Sequence, residues 1–281
     1  MKTYTLKETE DILSNFADKS GLKNREVLRW IILNSLLVPN REYNQIKDVK
    51  PEEINFMKKV VLKYIDGQSL GEIFGFVQFC GRFFDVNENV FDPRMSTETL
   101  VSSVLKTNKE KLNKAKIIDL CTGSGCVAIT LADELKQEVD AVDISPDAID
   151  VAKKNANRYK TKVNFYQFDI NDDWEKLFKE KYDIIVSNPP YWDIDKIMQN
   201  PEVINGNPLY AFNGGKGGLK YISLIIKNAH KYLKKGGLVF MEADSTQIEL
   251  IRKMMQQEGY KVNGIAKDHR GLDRVIEAEV E

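Results

Sequence analysis

Tyr182 to Trp192 reads Y-D-I-I-V-S-N-P-P-Y-W, and the fold turns on how this stretch is understood. Ile184, Ile185 and Val186 form a short β-branched run of the kind that fills a strand buried on both faces of a parallel sheet. The run stops at Asn188-Pro189-Pro190-Tyr191. Two consecutive prolines donate no backbone N–H, fix φ and push the residues before them out of the helical region. The carbonyls of Asn188 and Pro189 therefore enter neither a helix nor a sheet ladder. They project at the carboxyl end of a strand, where open α/β sheets bind their ligands. Asn188 adds a side-chain acceptor and Tyr191 an aromatic face. Such a corner can hold a planar amino group by its two N–H donors and cover the plane with a ring. A plain proline turn would use the same residues without chemistry, so the residues upstream decide between them.

From Lys116 onward strands and helices alternate. The pattern predicts a strand at 117–120, a helix to about Leu135, a strand at 139–144, a helix through Ala156, a strand at 163–168 and the strand ending at Ser187. A long helix at 219–233 leads through Gly236-Gly237 into a strand at 238–242. Another helix covers 246–258, and two strands near 262–266 and 274–280 close the chain. The expected fold is doubly wound α/β ending in a hairpin.

D-L-C-T-G-S-G, Asp119 to Gly125, follows the first of these strands and opens a helix. Gly123 and Gly125 permit a tight turn and close approach of a ligand to the backbone. The dinucleotide fingerprint calls for another glycine where Ala128 stands, so pyrophosphate has weak support. Asp143 ends the second strand ~20 residues on, where a carboxylate binds ribose hydroxyls. Asp169 closes the third strand, placed to reach an adenine amino group. Acidic residues after three successive strands suit a ligand with a ribose, an adenine and a cationic centre. S-adenosylmethionine has all three.

Residues 1–75 read as helices. Thr5-x-x-Glu8 is a capping box for a first helix ending before Gly21; Asn24 is the expected cap of a second through Val27 and Leu36; Pro51 opens a third that ends near Gly67. Phe76 to Val86 reads as a hairpin turning near Cys80-Gly81. The expected organisation is a helical domain at 1–75, a hairpin linker at 76–92 and a catalytic domain at 93–281. Arg94, extended beside Pro93 just before a helix, can be aimed at a ligand or can simply start the helix.

At 281 residues the chain suits two domains. Lys+Arg 41 against Asp+Glu 42 gives a net charge of −1, so no basic field draws it to nucleic acid. No apolar run reaches the ~18 residues a membrane span needs, and residues 1–20 lack a secretory core. Cys80, Cys121 and Cys126 show no metal-ligand spacing and read as thiols in a reducing cytoplasm. Two histidines, His230 and His269, argue against a histidine triad or a zinc site.

Taken together, D-L-C-T-G-S-G, A-V-D-I-S-P-D-A and S-N-P-P-Y resemble class I S-adenosylmethionine-dependent methyltransferases, and N-P-P-Y the branch that methylates planar nitrogens. P-R-M-S-T-E, N-P-L-Y-A-F-N-G-G-K-G-G-L and K-D-H-R-G-L-D-R-V extend the likeness over nearly the whole chain. The chain resembles the HemK-type peptide chain release factor N5-glutamine methyltransferases, their helical N-terminal domain matched by layout more than by motif. The resemblance implies a seven-stranded, Rossmann-like sheet. It also implies transfer of a methyl group from S-adenosylmethionine to the glutamine of the Gly-Gly-Gln loop of release factors, leaving S-adenosylhomocysteine. The expected setting is a cytoplasmic monomer with neither nucleic acid nor membrane as partner.

Carried over by position, the family's cofactor contacts are Cys121, Thr122, Gly123, Ser124, Gly125, Asp143, Asp169, Ile170 and Asn188. Its glutamine contacts are Asn188, Pro189, Pro190 and Tyr191, with Arg94 a further candidate and Asn188, Pro189 and Tyr191 the catalytic group. Cys121 replaces the first glycine of the loop, which is tolerable if its φ is negative. Asn207, Lys216 and Ser96 replace residues that are acidic in the family, all on the presumed substrate side. The competing expectations are an adenine-N6 methyltransferase, a different protein substrate, or a silent S-adenosylmethionine-binding protein.

Overall fold

The computed structural model describes residues 2–22, 25–201, 204 and 206–281. The chain divides into two compact units, Met1–Glu88 with Asn205–Asn207, and Asn89–Ile204 with Pro208–Glu281.

In the first unit the capping box closes at the start of α1 (Leu6–Ser20). Glu8 N–H donates to Thr5 Oγ1 at 3.3 Å, and Thr5 N–H donates to the Glu8 carboxylate at 2.8 Å. Gly21 ends the helix at φ 81°, a left-handed cap that glycine adopts without penalty. Asn24 lies outside the described residues. Next come α2 (Val27–Leu36), α3 (Pro51–Ile65), with Pro51 in its first turn, and a short helix the sequence reading did not anticipate, α4 (Leu70–Phe74), capped by Ser69. A hairpin follows, β1 (Phe76–Phe79) and β2 (Arg82–Asp85), turning at Cys80 and Gly81. Both turn residues have positive φ, 47° and 73°, the twist that suits a two-residue hairpin loop. Asn34 joins α2 to β1: its amide donates to the Trp30 carbonyl at 2.9 Å and accepts the Gln78 N–H at 3.2 Å.

The second unit begins with α5 (Glu98–Leu105) and α6 (Lys109–Leu112). The alternation then runs β3 (Ile117–Leu120), α7 (Cys126–Leu135), β4 (Val139–Asp143), α8 (Pro146–Tyr159), β5 (Val163–Gln167), β6 (Tyr182–Ser187) and α9 (Ile194–Gln199). It closes with α10 (Lys220–Tyr232), β7 (Leu233–Glu242), α11 (Ile248–Gln257), β8 (Tyr260–Lys267) and β9 (Asp273–Val280). The seven strands lie in the order β5-β4-β3-β6-β7-β9-β8, parallel except for β9, which is antiparallel to both neighbours. This is the expected doubly wound α/β sheet. From β3 the chain winds outward through β4 to β5, then returns to β6 on the other side of β3. That reversal opens a crevice at the carboxyl ends of β3 and β6, where such sheets take their ligands.

Gly236 and Gly237 do not lead into a strand, as the sequence suggested; they lie inside β7. The pairing with β6 shifts register there, from Tyr182 opposite Leu233 to Ile184 opposite Leu238. Gly236 takes φ 72°, and a Cβ on Gly237 would stand 2.8 Å from the Lys234 carbonyl, so the bulge needs both glycines.

One apolar cluster packs beside the sheet, with Leu120, Ile185, Val239 and Met241 joined by Trp174, Phe178 and Tyr182. Trp174 and Phe178 stack with ring centroids 4.9 Å apart, and Trp174 Nε1 donates to the Ile170 carbonyl at 2.8 Å. The core thereby holds the Asp169-Ile170 corner that follows β5. No described helix is long and apolar enough to cross a membrane.

Candidate functional site

A cavity of about 380 Å³ opens at the carboxyl ends of the central strands, and all its lining residues belong to the second unit. Its floor is the loop after β3. Thr122 N–H donates to the Val142 carbonyl at 2.9 Å and Thr122 Oγ1 to Asp119 at 2.6 Å. Cys121 holds φ 62°, so the condition under which a side chain is tolerated there without strain is not met; the loop turns left-handed where a glycine would sit freely. Gly123, at φ 55°, points its N–H at Asp143 Oδ2, 2.8 Å away, and the Ser145 N–H reaches Asp143 Oδ1 at 3.0 Å. Asp143 thus braces both the glycine loop and the start of α8, and each of its oxygens keeps a lone pair for a further donor.

Cys121, Thr122, Gly123, Ser124, Asp143, Asp169, Ile170, Asn188, Pro189, Pro190 and Tyr191 all line the cavity. Gly125 does not. A Cβ there would come within 2.8 Å of Ile129 Cδ1 and 3.0 Å of Ala152 Cβ, so this glycine lets α7 approach α8 instead of a ligand approach the loop. Arg94 is not on the wall either; its guanidinium stacks over Phe91, which is, at 5.0 Å. Asp169 Oδ1 accepts both the backbone and side-chain N–H of Asn171, at 2.8 and 2.6 Å, which leaves Oδ2 for another donor.

Charge collects here under low exposure. Asp119 lies within β3, not after it, and burial lifts its pKa to about 7 against the hydrogen bond from Thr122. Burial also raises Asp143, against the N–H groups of Ser145 and Gly123. These carboxyls have an environment that favours a cation beside them.

Ser187, the last residue of β6, donates its hydroxyl to the Leu120 carbonyl at 2.7 Å and so ties the two central strand ends together. The Asn188 amide nitrogen then donates to Thr97 Oγ1 at 3.2 Å, while its Oδ1 is buried with no partner. Among the described residues nothing donates to the Pro189 carbonyl. Tyr191 is held by its hydroxyl, which donates to Glu242 Oε1 at 3.3 Å; burial, first, and the Glu242 charge push its pKa far up. Ser96 donates to the same oxygen at 3.3 Å.

The proline corner is set from behind by the glycine-rich strap. Trp192 N–H donates to the Phe212 carbonyl and Gly214 N–H to the Trp192 carbonyl, both at 2.9 Å. Gln247 Nε2 bridges the carbonyls of Tyr191 and Gly217 at 2.9 and 3.1 Å. A Cβ on Gly214 would lie 2.7 Å from the Pro190 carbonyl, and one on Gly218 would collide with that of Tyr191. Lys216 is exposed on this strap, while Asn207 is buried in the first unit.

Sequence reasoning missed Thr97, Glu242 and the aromatic wall of Phe91, Phe168, Trp192, Tyr210, Phe212 and Tyr221. Tyr210 closes one side by donating to the Asn89 carbonyl at 2.5 Å. Glu242 carried a usable signal, an acidic residue ending a central strand as Asp143 does.

The family described as "Methyltransferase domain" matches residues 111–277. The chain is 31% identical over 280 residues to a protein named release factor glutamine methyltransferase from Geobacter sulfurreducens, covering 97% of this chain and 96% of that one. It is 34% identical over 305 residues to a bifunctional methyltransferase of Rickettsia prowazekii, covering 98% of this chain but 57% of that longer protein. The crystal structure of a methyltransferase from Pyrococcus furiosus superposes with a TM-score of 0.54 at 16% identity, over 80% of this chain and 98% of that one. At that identity the likeness speaks to the fold alone.

Proposed function

Because the chain belongs to the methyltransferase-domain family and, along nearly its full length, to the release factor glutamine methyltransferases, we propose that it methylates a glutamine side-chain amide in the Gly-Gly-Gln loop of peptide chain release factors. The methyl donor is S-adenosylmethionine. The cavity residues fit that molecule: buried carboxyls at Asp119 and Asp143 for cationic and hydroxyl groups, Asp169 at the rim, and apolar and aromatic walls for a base. When bound it supplies a methyl group activated on a sulfonium.

The observation that carries the reading is the unpartnered, buried Asn188 Oδ1 beside the Pro189 carbonyl. An amide nitrogen is a poor nucleophile because its lone pair is conjugated with the carbonyl. In this reading two fixed acceptors take its two N–H donors, Asn188 Oδ1 one and Pro189 the other. They orient the nitrogen and favour its pyramidal form, a positioning effect of several kcal/mol. Tyr191, anchored through Glu242, covers the amide plane. Charge supports a protein substrate over nucleic acid, since a net −1 offers little to a phosphate backbone. On this reading residues 1–75 hold the folded factor, 76–92 link, 93–281 carry the chemistry, and the reaction belongs to the cytoplasm.

The test is incubation of the enzyme with labelled cofactor and purified release factors, followed by peptide mapping. Label on the glutamine of the Gly-Gly-Gln loop is expected. Label on adenine-containing DNA offered in competition, or on neither, would overturn the assignment.

A further inference from the structure

The two ends of an asparagine amide are nearly equal in size, so packing alone cannot choose which end faces a substrate. Turned the wrong way, Asn188 would present an NH2 to the NH2 of the glutamine, donor against donor. The choice must come from hydrogen-bond polarity, and the partner of Asn188 is ambiguous in that respect. Thr97 is a hydroxyl, able to donate or to accept. It is buried, 2% exposed, and stands at 3.2 Å from the Asn188 amide nitrogen.

Glu242, the last residue of β7 and 1% exposed, already holds the hydroxyl of Ser96, the residue before Thr97. An ionised carboxylate only accepts. Its Oε1 takes the hydroxyls of Ser96 and Tyr191, each at 3.3 Å, and its Oε2 is buried without a partner of its own. We propose that Glu242 is a positioning residue whose unpartnered Oε2 accepts a hydrogen bond from the Thr97 hydroxyl, leaves the Thr97 oxygen as an acceptor, and thereby turns the Asn188 NH2 inward and Oδ1 toward the cavity. This deepens the reading of Asn188 as the acceptor for the substrate amide and rests on it. Burial raises the pKa of the Glu242 carboxyl, and the neighbouring Thr97 hydroxyl, the Arg274 charge and the Ser96 and Tyr191 hydroxyls oppose that rise. The polarity then runs one way, amide to hydroxyl to carboxylate, across three segments far apart in sequence.

The test compares Glu242→Gln, Thr97→Val and Thr97→Ser in the full chain. Glu242→Gln can donate to Thr97 and free its proton to turn toward Asn188; Thr97→Val removes the relay with little change in shape. With release factor as substrate, kcat is expected to fall about tenfold or more in each, with cofactor affinity by calorimetry within about threefold of the parent. Thr97→Ser should recover most of what Thr97→Val loses. The double variant Glu242→Gln/Thr97→Val should fall below Thr97→Val only by the factor that Tyr191→Phe costs alone. A substrate-free measurement separates this inference from the substrate assignment. The 15N-labelled Asn188 NH2 should exchange slowly with solvent in the parent protein and faster in both single variants. If the parent enzyme labels no release factor, the substrate reading fails and this exchange measurement still decides the relay. Full turnover in Thr97→Val, multiplied losses in the double variant, or unchanged Asn188 exchange would overturn it. If Glu242→Gln does not fold, Thr97→Val decides by the same two readouts.

Discussion

At the end of β6, Asn188 has one amide end engaged by Thr97 and the other buried without a donor. A buried acceptor left unpaired costs about 1–3 kcal/mol, a cost that a bound amide would relieve. Asn188→Ala is therefore expected to abolish turnover while cofactor affinity stays within about tenfold, or about 1.4 kcal/mol. Calorimetry showing lost cofactor binding, with normal turnover at saturation, would reverse that role. Asp143 is different, because both its oxygens already accept loop N–H groups. Asp143→Ala removes a brace together with the candidate ribose ligand, and cofactor binding should weaken by about 2–3 kcal/mol. An unchanged dissociation constant would exclude Asp143 from the site. For Asp119 the expectation concerns pH. Its pKa is raised to about 7, so the group is half protonated near neutrality and ionised above. A cationic ligand favours the ionised form, so affinity for S-adenosylmethionine should rise from pH 6 to pH 8, by up to about tenfold per unit below the pKa. Asp119→Asn should flatten that rise. Titration calorimetry of both proteins checks the sign, and identical profiles would reject it.

Between residues and fold stands the strap that backs the proline corner. N-G-G-K-G-G, Asn213 to Gly218, runs so close to Pro190 and Tyr191 at Gly214 and Gly218 that no side chain fits between the two backbones there. Gly218→Ala would drive a methyl group into the Tyr191 carbonyl, and turnover should fall by up to about a hundredfold, as for an ångström-scale misplacement of a catalytic group. Gly217→Ala is the control, because its Cβ would meet open space at a similar φ of 71°. It carries the same backbone strain, about 1 kcal/mol, without the collision. Steady-state kinetics on the pair should separate the two, and equal losses would show that strain alone matters. Cys121 belongs to this scale too. Its φ of 62° is set by the loop, where the Thr122 N–H reaches the carbonyl of β4.

For the whole molecule, the proposal assigns the helical unit a grip on the folded factor and the sheet unit the chemistry. Methyl transfer to full-length release factor should then exceed transfer to an isolated glutamine-bearing loop peptide by a large factor, carried mainly by KM. Equal kcat/KM for the two would leave the helical unit without that role. Lys216 on the strap and Asn207 in the first unit, both replacing acidic residues, are the natural positions to vary if the factor binds weakly.

Local chemistry made much of this readable in advance. Strand–helix alternation, the capping box at Thr5, the hairpin turn at Cys80-Gly81 and the projecting carbonyls of N-P-P-Y depend on neighbouring residues, whose steric and periodic signals lie in the sequence itself. What could not be read there depends on groups that meet only when the sheet closes. Gly125 belongs to the loop that the resemblance assigns to the cofactor, but Ile129 and Ala152, the latter on the next helix, are what make it necessary. The glycines at 236–237 sit in a strand because β6 pairs across a register shift. Asn188 draws its orientation from Thr97, 91 positions away, and Tyr191 is anchored by Glu242, 51 positions on. A hydrogen bond between distant segments leaves no period or spacing in the chain, so the sequence alone determined which strand ends line the cavity, and tertiary packing decided which way their side chains face.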